Sequence, residues 1–110
     1  VLLVDDQEAI LKATGQILEK FGYSVTAVTS GQEAINIFQS SFRDGEPFVA
    51  VILDVTLPGG LNGIETLEEM RKIDHDVRAV FSTGYHFEEP RLNELRSGGY
   101  VGVLPKPYKV

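Results

Sequence analysis

Short apolar runs alternate along this chain with longer stretches in which apolar residues recur at helical spacing. That is the βαβ pattern of a parallel sheet with helices on both faces. Val1 to Val4 is the first run, and residues 7–21 carry Ile10, Leu11, Ile17, Leu18 and Phe21 at spacings that predict a helix ended by Gly22. Ser24 to Val28 sets apolar Val25 and Ala27 around Thr26, as expected of a less covered strand at the sheet edge. Ser30 and Glu33 read as a capping box for a second helix bearing Ala34, Ile35 and Phe38. Residues 43–47 then read as a loop, and the continuous apolar run 48–53 as a central strand buried on both faces. The turn-rich segment Leu57 to Gly63 is expected to loop over the sheet edge. Ile64, Leu67 and Ile73 mark a third helix and Val77 to Phe81 a fourth strand. Glu88 to Ser97 reads as a fourth helix with Pro90 in its first turn and Gly98-Gly99 at its end, and residues 100–104 as a fifth strand. A fifth helix to cover that strand is missing, so the chain reads as an excerpt. The segment alone is expected to be less stable, or to associate as an oligomer through the uncovered face.

With 110 residues the chain is sized for one domain, 1–110, with a single core. Its 43% hydrophobic content and mixed charge predict a folded, soluble domain, and no apolar run approaches a membrane span. No membrane contact is expected of this segment, and the expected setting is the cytoplasm. The absence of cysteine excludes disulfides and thiolate metal sites. A net charge of −6 repels phosphate backbones, so no direct nucleic-acid binding is expected.

Three of the apolar runs end on polar groups: Val1 to Val4 at Asp5-Asp6, Val49 to Leu53 at Asp54, and Val101 to Pro105 at Lys106-Pro107. In open α/β sheets, ligands bind outside the carboxyl ends of the strands where the chain crosses to opposite faces. If these runs are neighbouring strands, three carboxylates and one ammonium meet at one edge. Carboxylates so gathered resist joint ionisation unless a cation joins them, and Mg2+, which favours oxygen ligands, suits the residue types. The predicted chemistry is a magnesium and phosphoryl site. Each residue also has a plainer role: Asp54 as a turn-starting aspartate, Asp5 or Asp6 as helix caps, Lys106 as a solvated lysine. Their coincidence at strand ends favours the site.

With these residues assembled, the chain resembles the receiver (response-regulator) domain of two-component phosphorelays over essentially its whole length. The matching marks are Asp5-Asp6, Asp54, Pro58-Gly59, a hydroxyl residue before Gly84, and Lys106-Pro107. The resemblance implies a flavodoxin-like doubly wound five-stranded parallel sheet in the order 2-1-3-4-5. It implies that Asp54 is the phosphoacceptor, taking a phosphoryl group from a partner phosphohistidine on a histidine kinase or histidine phosphotransfer domain. It further implies that Asp5, Asp6, Asp54 and the Thr56 backbone carbonyl hold Mg2+, and that Thr83 and Lys106 contact the phosphoryl oxygens. Gly84 selects Thr83 over Ser82 for that role. The domain would assist its own phosphorylation and dephosphorylation and pass the change to an output domain or partner protein. Ser82-Thr83-Gly84-Tyr85 and Pro58-Gly59-Gly60 look most like receivers attached to hybrid sensor kinases. His75 and His86 read as surface residues, and Tyr85 and Tyr100 as packing residues beside the site.

Departures from the family pattern also carry expectations. Gly60 lengthens the loop after Asp54, and Val103 replaces the aromatic residue often found three before Lys106. Thr56 lacks an amide to orient a hydrolytic water, which predicts slow self-dephosphorylation. An alternative function is a Mg2+-dependent aspartyl-phosphate phosphohydrolase, but such enzymes resembling haloacid dehalogenases carry a second Asp where this chain has Thr56. A flavin-binding module is suggested only by Ser82-Thr83-Gly84, and an unphosphorylated interaction module sits poorly with the retained Asp54, Thr83 and Lys106.

Overall fold

The computed structural model describes residues 1–55, 57, 60–83 and 101–105. The elements are β1 (Leu2–Val4), α1 (Glu8–Lys20), β2 (Thr26–Val28), α2 (Gly31–Arg43), β3 (Val51–Asp54), α3 (Gly63–Ile73), β4 (Ala79–Thr83) and β5 (Val101–Pro105). All pairings are parallel, and the order across the sheet is β2-β1-β3-β4-β5. This is the flavodoxin-like arrangement that the family resemblance implies. The helix expected over 88–97, with Pro90, Gly98 and Gly99, lies outside the described residues.

Side chains that alternate along the strands divide between two unequal layers. Leu2, Val4, Val51, Leu53, Ala79 and Phe81 join Ala34 and Phe38 of α2 and Ile64, Leu67 and Met70 of α3 in one buried cluster. Leu3 points the other way, where a methyl on Gly15 of α1 would lie 3.9 Å from its Cδ1. Ile17 on the same helix and Phe21 at its C-cap remain exposed. The α2/α3 layer therefore supplies most of the apolar burial among the described residues.

Several boundaries move from their sequence positions for identifiable reasons. The run 48–53 does not form a strand throughout, because β3 begins at Val51, which pairs with Leu2. Val49 is 64% exposed, and Phe48 packs against the cluster from outside the sheet. Ladder register, and not apolarity alone, set both where the strand begins and which of these residues are buried. In the edge strand β2 only Val28 is buried, and Ala27 faces solvent despite its apolar character. β4 begins two residues later than Val77 because Asp74 organises a turn there: its side chain accepts the Asp76 N–H at 2.9 Å and its carbonyl accepts the Val77 N–H at 3.2 Å. Leu57, placed by the sequence in a loop over the sheet edge, is buried within the cluster.

Helix ends follow local chemistry. Gly22, at φ 90°, occupies the left-handed conformation that lets α1 stop, and its N–H bonds the Glu19 carbonyl. The Ser30 hydroxyl accepts the Glu33 N–H at the start of α2. The full reciprocal capping box belongs instead to α3: Glu65 N–H donates to Asn62 Oδ1 at 2.8 Å, and Asn62 N–H donates to Glu65 Oε1 at 3.1 Å.

Candidate functional site

Strand order reverses between β1 and β3, so the following helices leave to opposite faces and a crevice opens at their carboxyl ends. Register runs Leu2 to Val51, Leu3 to Ile52 and Val4 to Leu53, which brings Asp5 level with Asp54. Asp54 is itself the last residue of β3, paired with Ser82 of β4. Asp5 and Asp54 are buried, whereas Asp6 is exposed. One carboxylate oxygen from each of the three lies within 4.8 Å of the others.

Asp5 has a local duty as well. Its Oδ1 accepts the Gln7 N–H at 2.9 Å, and its own N–H bonds the Val28 carbonyl at 3.2 Å. This bond fixes the turn into α1, while the N-cap position itself is Gln7, which makes no side-chain cap bond. Asp5 thus combines a turn-holding bond with its place in the cluster, while the helix-cap role expected of Asp5 or Asp6 is not taken up.

The Asp6 carboxyl titrates above its ordinary value. Partial withdrawal from water is the largest cause, although much of the residue is exposed; a hydrogen bond with the Asp54 carboxyl comes next, and the charges of Asp54 and Asp5 add to it. Asp6's backbone hydrogen bond opposes the shift. Crowded negative charge with oxygen donors only is the environment a hard divalent cation relieves. The 4.8 Å spread is of the same order as the roughly 4.2 Å separating opposite oxygens around magnesium, so the donor set fits Mg2+ bound partly through water.

The peptide after Asp54 is held from two directions. Val55 N–H donates to the Ser82 carbonyl at 3.1 Å, and Gly63 N–H donates to the Val55 carbonyl at 3.1 Å. The loop leaving β3 therefore returns to its own base when α3 begins. Thr83 ends β4, with its backbone opposite Pro105 of β5. Thr56, Pro58, Gly59, Gly84, Tyr85, His86, Tyr100, Lys106 and Pro107 lie outside the described residues, and His75 is exposed. Sequence reasoning weighs Ser82, which is buried beside Asp54, only to prefer Thr83, and it gives Gly63 no role beyond the loop; a glycine at the first position of a predicted helix was the available signal for the latter.

A doubly wound parallel sheet with an acidic cluster at its switch point defines the class: a flavodoxin-like α/β domain with a carboxylate site at the carboxyl edge. The chain belongs to the response regulator receiver domain family, whose model matches residues 1–110. It is 34% identical over its full length to the sensor kinase CckA of Brucella abortus, spanning 11% of that protein. It is 30% identical to sporulation initiation phosphotransferase F of Bacillus subtilis, again over the full chain and spanning 83% of that protein. Among solved structures, a CheY-like receiver domain protein from Methanospirillum hungatei aligns with a TM-score of 0.79 at 31% identity, covering 98% of this chain and 81% of that one. Its relatives are receivers of two-component signalling. Among the described residues no helix is long and apolar enough to cross a membrane.

Proposed function

We propose that this domain is a phosphoacceptor switch in which Asp54 takes a phosphoryl group from a phosphohistidine on a partner kinase or phosphotransfer domain. The observation that carries this reading is the meeting of Asp5, Asp6 and Asp54 oxygens at the switch point of a receiver fold. An Asp54 carboxylate oxygen attacks phosphorus, the P–O bond forms as the donor's P–N bond breaks, and the electron pair leaves with the imidazole, which takes up a proton. Such a transfer asks the protein mainly for position and charge neutralisation. Asp54 meets the first need because it is held in the β3 ladder and not on a free loop. Asp5, Asp6, Asp54 and the Thr56 carbonyl would hold Mg2+, whose charge offsets that of the carboxylates and phosphoryl oxygens. Thr83 would donate a hydrogen bond to a phosphoryl oxygen and Lys106 would face it as a point charge.

New charge at Asp54 would draw those groups inward and reorder the adjoining loops, giving a local event a distant readout. The likeness to a sensor kinase and to a phosphotransferase supports kinase or phosphotransfer partners; a cytoplasmic setting and an output carried elsewhere complete the proposal. The test is mass spectrometry after incubation with acetyl phosphate, with and without magnesium. One phosphoryl group on Asp54 in the presence of the metal is expected, and none on a folded Asp54→Asn chain. Labelling of that variant to the wild-type extent would refute the assignment.

A further inference from the structure

Resting on that reading of Asp54, we infer that Gly63 is its positioning residue, holding the acceptor carboxylate in place through the peptide that follows it. A methyl group built on Gly63 overlaps the Asp54 carbonyl oxygen and comes within 2.9 Å of both the Asp54 carbonyl carbon and Val55 Cα. All three obstacles are backbone atoms, which cannot turn aside as the end of a side chain can. The Gly63 N–H also donates to the Val55 carbonyl, while the Val55 N–H is held by Ser82 of β4. The Asp54–Val55 peptide is therefore clamped between β4 and the first turn of α3, and the contact admits hydrogen alone.

A side chain at 63 forces one of two changes. Either α3 moves away and the Gly63–Val55 bond is lost, or the Asp54–Val55 backbone is pushed aside and carries the Asp54 Cα and its carboxylate with it. The second alters the spacing of the Asp54 oxygens from Asp5 and Asp6, which now lie within 4.8 Å of one another. The first removes the clamp that sets that spacing. In both cases the damage concentrates at the carboxylate. It differs from the loss caused by a cavity elsewhere under α3, such as at buried Met70.

The experiment compares wild type, Gly63→Ala and Met70→Ala as the same 110-residue chain. For each, the dissociation constant for magnesium chloride is measured by NMR titration below the melting temperature, and the labelling rate with acetyl phosphate by mass spectrometry. Gly63→Ala is expected to bind magnesium about tenfold or more weakly, as when a residue orienting a metal ligand is lost. Its labelling is expected to slow by roughly a hundredfold, the effect of misplacing a reacting group by an ångström. Met70→Ala is expected to melt at lower temperature yet keep the wild-type magnesium constant. Wild-type magnesium affinity in folded Gly63→Ala would overturn the inference, and so would an equal loss in Met70→Ala. Failure of Gly63→Ala to fold even with trimethylamine N-oxide would overturn it too, by making the contact a requirement of the fold and not of the site. A wild-type chain that takes no label would sink the phosphoacceptor reading, while the magnesium constants still decide the role of Gly63.

Discussion

Asp6 and Asp54 bring carboxylate oxygens within 4.8 Å of each other at the carboxyl edge of β1 and β3, and that closeness helps raise the Asp6 pKa. A raised carboxyl pKa means that folding makes the charged form costlier than it is in the unfolded chain. The native state then binds more protons between the ordinary value of 3.8 and the raised value, so this group's contribution to stability falls as pH rises through that window. Asp6→Asn removes the penalty. Without magnesium at neutral pH the variant should be more stable by roughly 0.2 to 1 kcal/mol, small because water screens Asp6. Urea melts at neutral pH and near pH 4 check this, and an advantage that grows on acidification would contradict it.

Magnesium should reverse the ranking of those two proteins. A ligand that binds only the folded state stabilises it by about 2.7 kcal/mol at a hundred times its dissociation constant. The wild type, with its acidic cluster intact, is expected to show this rise in thermal melts, and Asp6→Asn little of it. An equal rise in both would place the ion elsewhere.

Asn62 starts α3 by a reciprocal pair of bonds with Glu65, and its carbonyl also accepts the buried Thr66 hydroxyl at 2.7 Å. Asn62→Ala should cost about 1 kcal/mol, the usual loss on removing a helix cap, and Asn62→Asp much less. Equal denaturation midpoints for Asn62→Ala and wild type would show that water replaces the cap without loss.

The amino ends of α2 and α3 meet where a methyl on Gly31 would overlap Thr66 Oγ1 and lie 3.0 Å from the Leu61 carbonyl. Gly31→Ala should overpack this contact at a cost of about 1 to 3 kcal/mol. Adding Thr66→Ala removes the obstructing hydroxyl, so the double variant should be more stable than additivity of the single changes predicts. Strict additivity in a double-mutant cycle would disprove the direct contact.

Two glycines, one inside α1 and one just past its end, should respond with opposite signs. A methyl on Gly15 in α1 meets only ordinary contacts, the nearest at 3.8 Å, so Gly15→Ala should stabilise the helix by about 0.8 to 1 kcal/mol. Gly22 sits at φ 90°, and Gly22→Ala should destabilise by about 1 kcal/mol despite the open space around it. Thermal melts of the two variants should move in opposite directions.

The parallel α/β class and the gathering of Asp5, Asp6 and Asp54 were legible because each rests on a strong signal, whereas the order of the strands followed only from the family resemblance. Apolar runs alternate with helical periodicity, and charges stand at the ends of those runs. The signal weakened where one residue type answers to two demands. Val49 is as apolar as Val51, but only the latter pairs with β1, so composition could not place the strand's start. Asn62 lay hidden in a segment rich in turn residues, and its role as a cap emerges only from its bonds to Glu65. The closeness of Gly63 to Asp54 is a contact between backbones, to which residue types give little clue. Thr83, by contrast, could be put at the same edge from the sequence, and the structure ends β4 on it.

Because Asp54 lies within the β3 ladder opposite Ser82, its main chain has little freedom to travel. If Asp54 is the acceptor proposed above, a phosphoryl donor has to come to the sheet edge, which makes the search for alignment the visitor's task. On that proposal a docking partner would govern traffic through this domain, and the acid would work as a stationary berth.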